Sequence, residues 1–250
     1  MNRILSGVAA AALSVHALTG CSATANGSDG GDLTVSAAAS LTEAFTELAD
    51  EFEAGHSGTS VKLNFGGSSS LAEQVVSGAP VDVLATASRA TMDTVRDEGY
   101  SEDAPSFANN SMTIAVPPDN PAAISSLADL ARDGVRVAQC AAQVPCGVAA
   151  ATTLANAGLS VTPVTLDPDV KTVLGRVASG EVDAGLVYVT DIKAAAVDAV
   201  AIPSDVAATT EYAITVIDRT DQQTLAREFV KFVLSEAGQK VLRDHGFGAP

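Results

Sequence analysis

One local pattern recurs along the chain: a short apolar run, then a turn of small residues, then a segment with apolar residues on one helical face. Residues 33–37 show it first, because alternating Leu, Val and Ala there predict a buried strand. From Leu41 to Phe52 the apolar residues recur at helical spacing, which predicts an amphipathic helix. Strands that alternate with helices predict an α/β protein with a mostly parallel sheet and helices on both faces.

The pattern continues to the C-terminus without a sequence repeat of fixed period. Apolar runs predict further strands at residues 61–65, 81–85, 112–116, 135–138, 182–188, 199–202 and 213–217. Helical spacing predicts helices at residues 71–77, 91–98, 127–131 and 147–157, one from residue 170, and more within 222–245. The capping-box spacing of Ser40 with Glu43 predicts that Ser40 is a helix N-cap, and Ser70 with Glu73 repeats it.

The chain is acidic, with 14 Lys and Arg against 30 Asp and Glu and a formal net charge of −16. Nucleic-acid binding needs a basic surface that neutralises phosphates, and because the sequence has no basic stripe we expect no nucleic-acid partner. Hydrophobic residues make up 47% of the chain and are mostly small aliphatics, which favours a packed α/β core over a disordered chain.

The N-terminal segment is organised like an export signal. Arg3 supplies a positive charge, and the apolar run at residues 4–18 is too short for a normal membrane-spanning helix. The sequence Leu18-Thr-Gly-Cys21 resembles the lipobox of bacterial lipoproteins, which implies cleavage before Cys21 and a diacylglycerol on its sulfur. The alternative is an ordinary signal peptide with an incidental cysteine. Residues 21–31, polar and rich in small residues, are expected to form a flexible linker.

Two further cysteines, Cys140 and Cys146, are separated by five residues. An exported chain meets an oxidising compartment and so short a loop is easily closed, which favours a disulfide over two free thiols. We expect no metal ion, because the exported chain has only two histidines, His56 and His245, far apart in sequence. The cysteine spacing also differs from the CxxC motif of thioredoxin-like proteins, so a lipid-anchored redox protein ranks last.

Four predicted turns have a chemistry that suits anions. They consist mainly of small residues before a helix, contain no Lys or Arg, and lie at residues 38–40, 66–70, 145–147 and just before 170. Helix N-termini present unpaired N–H groups and the positive end of the helix dipole, so they bind anions without charged side chains. In open α/β sheets ligands bind at the carboxyl ends of strands, where such turns lie. Each turn alone is typical of ordinary capping, but their recurrence favours an anion site.

Six segments resemble, in order, the motifs of the periplasmic molybdate-binding proteins, which are type II substrate-binding proteins of ABC importers. They are VSAAASLT at residues 35–42, FGGSSSL at 65–71, GAPVD at 78–82, VPCG at 144–147, DV at 169–170 and GLVYVTD at 185–191. Each segment alone is weakly specific, whereas the ordered set, which spans residues 33–247, is specific.

The resemblance implies a two-lobed α/β fold of the periplasmic-binding-protein type, with two hinge strands and the anion in the cleft between the lobes. The chain would cross between lobes near residues 110–112 and return near 210–213. One lobe would then comprise residues 32–111 and 211–250, and the other residues 112–210.

The resemblance also implies the ligand contacts. They would be Ser40 and Ser68 through hydroxyl and backbone N–H, Cys146 and Val170 through backbone N–H, and Tyr188 through its phenolic O–H. Cys146 departs from the family, which usually has a small residue without sulfur there. If it pairs with Cys140, its sulfur would point away from the ligand. Taken alone, Tyr188 is typical of a strand aromatic that packs in the core.

The bound anion would be molybdate or tungstate, and no cofactor is expected. We expect a monomer, lipid-anchored on the outer face of the bacterial cytoplasmic membrane, that passes the anion to the permease and ATPase of an ABC importer. Sulfate or another tetrahedral oxyanion is the alternative ligand. A serine hydrolase fits less well, because the GxSxG elbow and the HExxH motif are absent and only His56 and His245 could act as a base. We therefore expect a binding protein and not an enzyme.

Overall fold

Residues 30–250 are described by the computed structural model, so the predicted signal peptide, Cys21 and the linker up to residue 29 lie outside the described residues. The strands of this range are β1 (Asp32–Ala38), β2 (Ser60–Gly66), β3 (Val83–Thr86), β4 (Ser106–Val116), β5 (Val137–Cys140), β6 (Thr165–Asp167), β7 (Ala184–Tyr188), β8 (Asp198–Val200) and β9 (Thr209–Val216). The α-helices are α1 (Thr42–Gly55), α2 (Ser68–Val76), α3 (Arg89–Asp97), α4 (Pro145–Asn156), α5 (Val170–Ala178), α6 (Gln223–Leu234) and α7 (Glu236–Asp244). Within residues 30–250, no helix has the length and apolar character needed to span a membrane.

The strands form one sheet in the order β2-β1-β3-β9-β4-β7-β5-β6, with β8 beside β4. Parallel pairing occurs towards its two ends, where β1 pairs with β2 and β3, and β5 pairs with β6 and β7. Every pair that involves β4 or β9 is antiparallel. The sheet is therefore mixed instead of mostly parallel, because these two long central strands run in opposite directions.

The strands β4 and β9 connect separate hydrophobic clusters. One cluster consists of buried residues between positions 112 and 188. The others combine residues from positions 33 to 108 with residues from 212 to 247. The fold thus has two lobes, and we call the half that contains β1 the first lobe and the half that contains β5 the second lobe. Helix α6 returns to the first lobe, where Phe229 packs edge-on against Phe52 with ring centroids 5.2 Å apart.

Both capping predictions were wrong. A short 3-10 turn, Ala39–Leu41, precedes α1, and the Ser40 hydroxyl lies 2.8 Å from the phenolic oxygen of Tyr212 instead of capping a helix. A partner distant in sequence thus replaces the local cap. Helix α2 begins at Ser68, directly after Gly67, so Ser70 lies inside the helix. The other predicted helices and strands are present with shifted ends, except that residues 127–131 form a 3-10 helix and β6 was not predicted.

Candidate functional site

The five predicted ligand residues line one small buried cavity between the lobes. They lie where strands end or helices begin: Ser40 in the 3-10 turn after β1, Ser68 at the start of α2, Cys146 and Val170 in the first turns of α4 and α5, and Tyr188 at the end of β7. None of the five is more than 5% exposed. The fold therefore brings together residues that are scattered through the sequence.

The cavity has a size suited to a small ion. Its volume is about 20 Å³, counting only the positions that the centre of a water molecule can occupy. A sphere of that volume has a radius of about 1.7 Å, and adding a water radius of about 1.4 Å places the wall roughly 3.1 Å from the centre. Such a space fits one central atom with a single shell of oxygens and is too small for an organic substrate.

The two lobes approach each other closely at the edge of this cavity. A Cβ atom at Gly67, before α2 of the first lobe, would lie 2.3 Å from the carbonyl oxygen of Pro168 in the second lobe. Only glycine allows this approach. Beside it, the Ser69 hydroxyl donates to the Gln143 carbonyl oxygen at 2.8 Å and so joins the same two lobes. The lobes are thus in contact around the cavity.

Helices α2, α4 and α5 all begin at the cavity wall. The first N–H groups of a helix have no acceptor within the helix and lie at the positive end of its dipole. Pro145 is the first residue of α4 and has no N–H, so Cys146 supplies the first amide there. Val170 and Ser68 are the first residues of α5 and α2. The wall therefore offers backbone donors without a cationic side chain.

The hydroxyl groups at the cavity are also arranged as donors. Ser68 Oγ accepts a hydrogen bond from the Ala87 N–H at 3.0 Å, which leaves the serine proton free to donate elsewhere. The Tyr188 hydroxyl is buried and makes no hydrogen bond of good geometry among residues 30–250, although the Thr210 hydroxyl lies near enough to act on its pKa in the lowering direction. Burial raises the pKa of Tyr188 well above its usual value, so the phenol keeps its proton at neutral pH. A buried O–H without a well-formed hydrogen bond costs about 1–3 kcal/mol, so this hydroxyl is well placed to gain from a ligand acceptor.

The residues that line the cavity include no Lys or Arg in the described part of the chain. One carboxylate, Asp169, is in the wall, but it caps α5 by accepting from the Thr172 N–H at 2.9 Å and from the Thr172 hydroxyl at 3.1 Å. The cavity is thus lined by neutral donors, a composition that suits an anion carrying no proton of its own.

A charged cluster next to the cavity was not anticipated from the sequence. Lys171 Nζ of α5 lies 2.8 Å from a carboxylate oxygen of Glu43 on α1 and 3.4 Å from Oδ1 of Asp191. Asp191 is completely buried and accepts from the Tyr188 N–H at 3.0 Å. Burial raises the pKa of Asp191 to about 6, although Lys171 and the Tyr188 N–H act in the opposite direction.

Cys140 and Cys146 form a disulfide with Cα atoms 5.7 Å apart. It connects the end of β5 to the first turn of α4, which carries one of the amides at the cavity. The turn is tight, because a Cβ atom at Gly147 would lie 1.9 Å from the carbonyl oxygen of Ala141. The disulfide therefore braces the segment that positions the Cys146 N–H.

The competing sites are weaker. His56 Nδ1 pairs with the Phe52 carbonyl oxygen at 2.7 Å and His245 Nε2 with Glu47 at 2.7 Å, so the structure pairs neither ring with a serine.

A larger cavity of about 540 Å³ also lies between the lobes. The guanidinium of Arg89 in its wall already donates to Glu211 and to a backbone carbonyl, which leaves it poorly suited to hold an anion.

A cleft between two lobes that is lined by donors, with no serine–histidine pair among residues 30–250, defines a protein that binds a small solute. The chain belongs to the bacterial extracellular solute-binding protein family, whose model matches residues 33–248. Membership confirms the resemblance seen in the sequence motifs and the two-lobed fold expected from it.

The molybdate-binding protein ModA of Mycobacterium tuberculosis H37Rv is 42% identical over 221 residues, which cover 87% of this chain and 85% of that relative. The periplasmic molybdate-binding protein of Azotobacter vinelandii has the same fold with a TM-score of 0.76, at 20% identity over 87% of this chain and 99% of that one. The sulfate-binding protein SubI of M. tuberculosis matches with a TM-score of 0.77, at 18% identity over 86% of each chain.

Proposed function

We propose that this protein captures molybdate or tungstate in the cleft and delivers it to an ABC importer. The observation that carries the proposal is a cavity of oxyanion size, lined by five residues with neutral donor groups, among them the buried Tyr188 hydroxyl. The 42% identity to a molybdate-binding relative supports the same ligand. In this proposal Ser40 and Ser68 donate through their hydroxyls, and Cys146 and Val170 through their amides.

The donor set explains how an acidic protein can hold a dianion. A buried ion needs hydrogen bonds that replace its hydration. Bonds from neutral donors to a charged acceptor contribute roughly 1.5–3 kcal/mol each, and several converge here. The overall negative charge acts over distances that salt screens beyond about 8–10 Å, so the local donors dominate. Monohydrogen phosphate is disfavoured because its proton would face donors, whereas molybdate, tungstate and sulfate have no proton at neutral pH.

Sulfate is the second candidate ligand, because it shares the charge and shape of molybdate and differs mainly in size. The likeness to the sulfate-binding protein SubI extends only to the fold, since the identity is 18%. The choice among the oxyanions therefore depends on how closely each fills the cavity.

The proposal extends to the organisation and location of the chain. The hydrophobic clusters support lobes at residues 32–111 with 211–250 and at 112–210, with β4 and β9 as the hinge strands. Cys21 would hold the mature monomer to the outer face of the cytoplasmic membrane. There the protein would deliver the anion to the permease of the importer, which works together with its ATPase. The protein would bind its ligand without catalysing a reaction.

Isothermal calorimetry of the anion-stripped protein with molybdate, tungstate, sulfate and phosphate tests the proposal. We expect tight binding of molybdate and tungstate, and weaker or no binding of phosphate. Ser68→Ala should weaken molybdate binding by roughly 10- to 150-fold, the equivalent of one bond to a charged acceptor. Ser70→Ala is the matched control, because Ser70 lies in the same turn but is exposed and away from the cavity. Ester hydrolysis by the wild type, or equal affinities for both serine variants, would contradict the proposal.

A further inference from the structure

A chain of buried hydrogen bonds leads from the hinge strands to the cavity. The side-chain N–H of Asn110, in β4, lies 3.3 Å from the phenolic oxygen of Tyr212, in β9. That oxygen lies 2.8 Å from Ser40 Oγ. All three side chains are buried, but of the three only Ser40 lines the cavity. The Tyr212 ring also packs edge-on against Tyr188, which lines the cavity, but the hydrogen bonds of Asn110 and the Tyr212 hydroxyl reach the cavity through Ser40.

The orientation of the Asn110 amide is fixed by its other two partners. Its Oδ1 accepts from the Ser111 N–H at 3.0 Å, and its Nδ2 donates to Thr190 Oγ1 at 2.8 Å. A flipped amide would lose the bond from Ser111, because it would place a donor against the Ser111 N–H, whereas the Thr190 hydroxyl can pair with either orientation. The second proton on Nδ2 is thus directed at the Tyr212 oxygen.

The direction of the remaining bonds follows from this amide. The Tyr212 oxygen accepts from Asn110, and burial raises the pKa of Tyr212, so the phenol keeps one proton to donate. Ser40 Oγ lies 2.8 Å from the phenolic oxygen, whereas the nearby Thr210 hydroxyl makes no hydrogen bond of good geometry among residues 30–250, so Ser40 is the better placed acceptor for that proton. When Ser40 accepts it, the serine's own proton is free to point into the cavity. If Ser40 instead donated its proton to Tyr212, the lone pairs of the serine oxygen would face the anion.

We propose that Asn110 and Tyr212 are positioning residues that fix the Ser40 hydroxyl as a donor to the bound oxyanion. The inference rests on the proposed function and adds to it two residues that do not touch the ligand. Its energetic basis is the closed cleft, which removes water from Ser40 and makes an unpaired lone pair on that oxygen costly. Hydrogen bonds in a buried chain also polarise and strengthen one another.

A double-mutant cycle on oxyanion affinity tests the proposal, with Tyr212→Phe and Ser40→Ala made singly and together. Tyr212→Phe retains the ring that packs against Phe107 and Phe247 and removes only the hydroxyl. The matched control is Tyr100→Phe, because the buried Tyr100 also donates through its hydroxyl to a partly buried partner, the Val76 carbonyl oxygen, but lies away from the cavity. Calorimetry uses whichever of molybdate, tungstate and sulfate the wild type binds most tightly.

Tyr212→Phe should weaken binding roughly fivefold in the wild-type background, the equivalent of one neutral hydrogen bond, and less than about twofold in the Ser40→Ala background. Tyr100→Phe should leave the affinity within about twofold of wild type. Equal losses in both backgrounds, or wild-type affinity in Tyr212→Phe, would overturn the positioning role while leaving the proposed function intact. A wild type that binds none of the three anions would overturn both.

If Tyr212→Phe does not fold, Asn110→Ala provides the same test from the other end of the chain of hydrogen bonds. It removes the donor that orients the phenol, so it should also lower affinity by roughly 2- to 13-fold, the range of one neutral hydrogen bond. That loss should again disappear in the Ser40→Ala background. A loss of equal size in both backgrounds would indicate a purely structural effect and would contradict the inference.

Discussion

Replacing Lys171 with Met should loosen the contact between the lobes. Lys171 Nζ, on α5 of the second lobe, lies 2.8 and 3.0 Å from the two carboxylate oxygens of Glu43 on α1 of the first lobe. It also lies 3.4 Å from the buried Asp191. The substitution keeps an unbranched apolar stem of similar length but removes the charge that both carboxylates face. We expect it to lower both the stability of the fold and the affinity for the anion.

The size of the stability loss follows from the burial of the three groups. Breaking a fully buried ion pair costs about 3–5 kcal/mol. The cost at Lys171 should be smaller, about 1–3 kcal/mol, because Glu43 is 42% exposed and Asp191, whose pKa is already about 6, can take up a proton instead of remaining charged. For a chain of this size, that loss lowers the Tm by roughly 2–12 °C.

The affinity loss follows from the position of the Lys171–Glu43 pair across the cleft. If the lobes separate to release the anion, this pair is made only in the closed form, so about 1–2 kcal/mol of binding energy depends on it. Calorimetry should then give a Kd about 5- to 30-fold weaker for Lys171→Met. Glu43→Gln should also weaken binding, because it breaks the same pair. Simple electrostatics would predict the opposite, since the substitution removes a negative charge that repels the anion.

Lys62→Met is the control, because Lys62 pairs with Asp32 at an exposed position within the first lobe. An exposed pair contributes about 0–1 kcal/mol, so this variant should melt and bind almost as the wild type does. The reasoning is refuted if Lys171→Met matches Lys62→Met in both Tm and Kd, or if Glu43→Gln binds the anion more tightly than the wild type.

Three further predictions concern other parts of the chain. Burial raises the pKa of Asp191 to about 6 from its usual 3.8, so the folded state holds the proton more tightly and the contribution of Asp191 to stability should fall by about 3 kcal/mol as pH rises from below 3.8 to above 6. Urea unfolding should show a shallower fall in Asp191→Asn. Reducing the Cys140–Cys146 disulfide should cost roughly 2 kcal/mol and weaken anion binding, and bound molybdate should slow the reduction, as thiol labelling with mass spectrometry would reveal. Cys21→Ser should leave the membrane fraction, and continued anchoring would contradict lipidation there.

Local signals in the sequence predicted three parts of the cavity wall, and the family resemblance supplied the individual residues. A turn of small residues before an amphipathic segment indicates a helix N-terminus, and this applies to Ser68, Cys146 and Val170. Tyr188 has no such signal, because a tyrosine at a strand end is typical of the core, and only the family resemblance indicated it. The meeting of these residues in one cavity depends on tertiary structure, because β1 and β3 run antiparallel to β5 and β7 and their carboxyl ends meet only where the two lobes face each other.

The contacts behind the wall could not be predicted, because they depend on tertiary structure. Ser40 pairs with Tyr212, which is 172 positions away, and that partner prevented the helix cap that local spacing indicated. The antiparallel course of β4 and β9 depends on strand order, which alternation of strands and helices does not specify. Asp191 follows a strand like many surface carboxylates, and nothing local indicates that it is buried beside Lys171.

The most direct test of the account is a crystal structure of the molybdate complex with anomalous scattering recorded for molybdenum. The account predicts one strong anomalous peak in the cavity between the lobes. Each anion oxygen should lie within hydrogen-bonding distance of donors from the following set: the hydroxyls of Ser40, Ser68 and Tyr188 and the amides of Cys146 and Val170. A peak elsewhere, or an anion held by Lys or Arg side chains with the Tyr188 hydroxyl still unpaired, would contradict it.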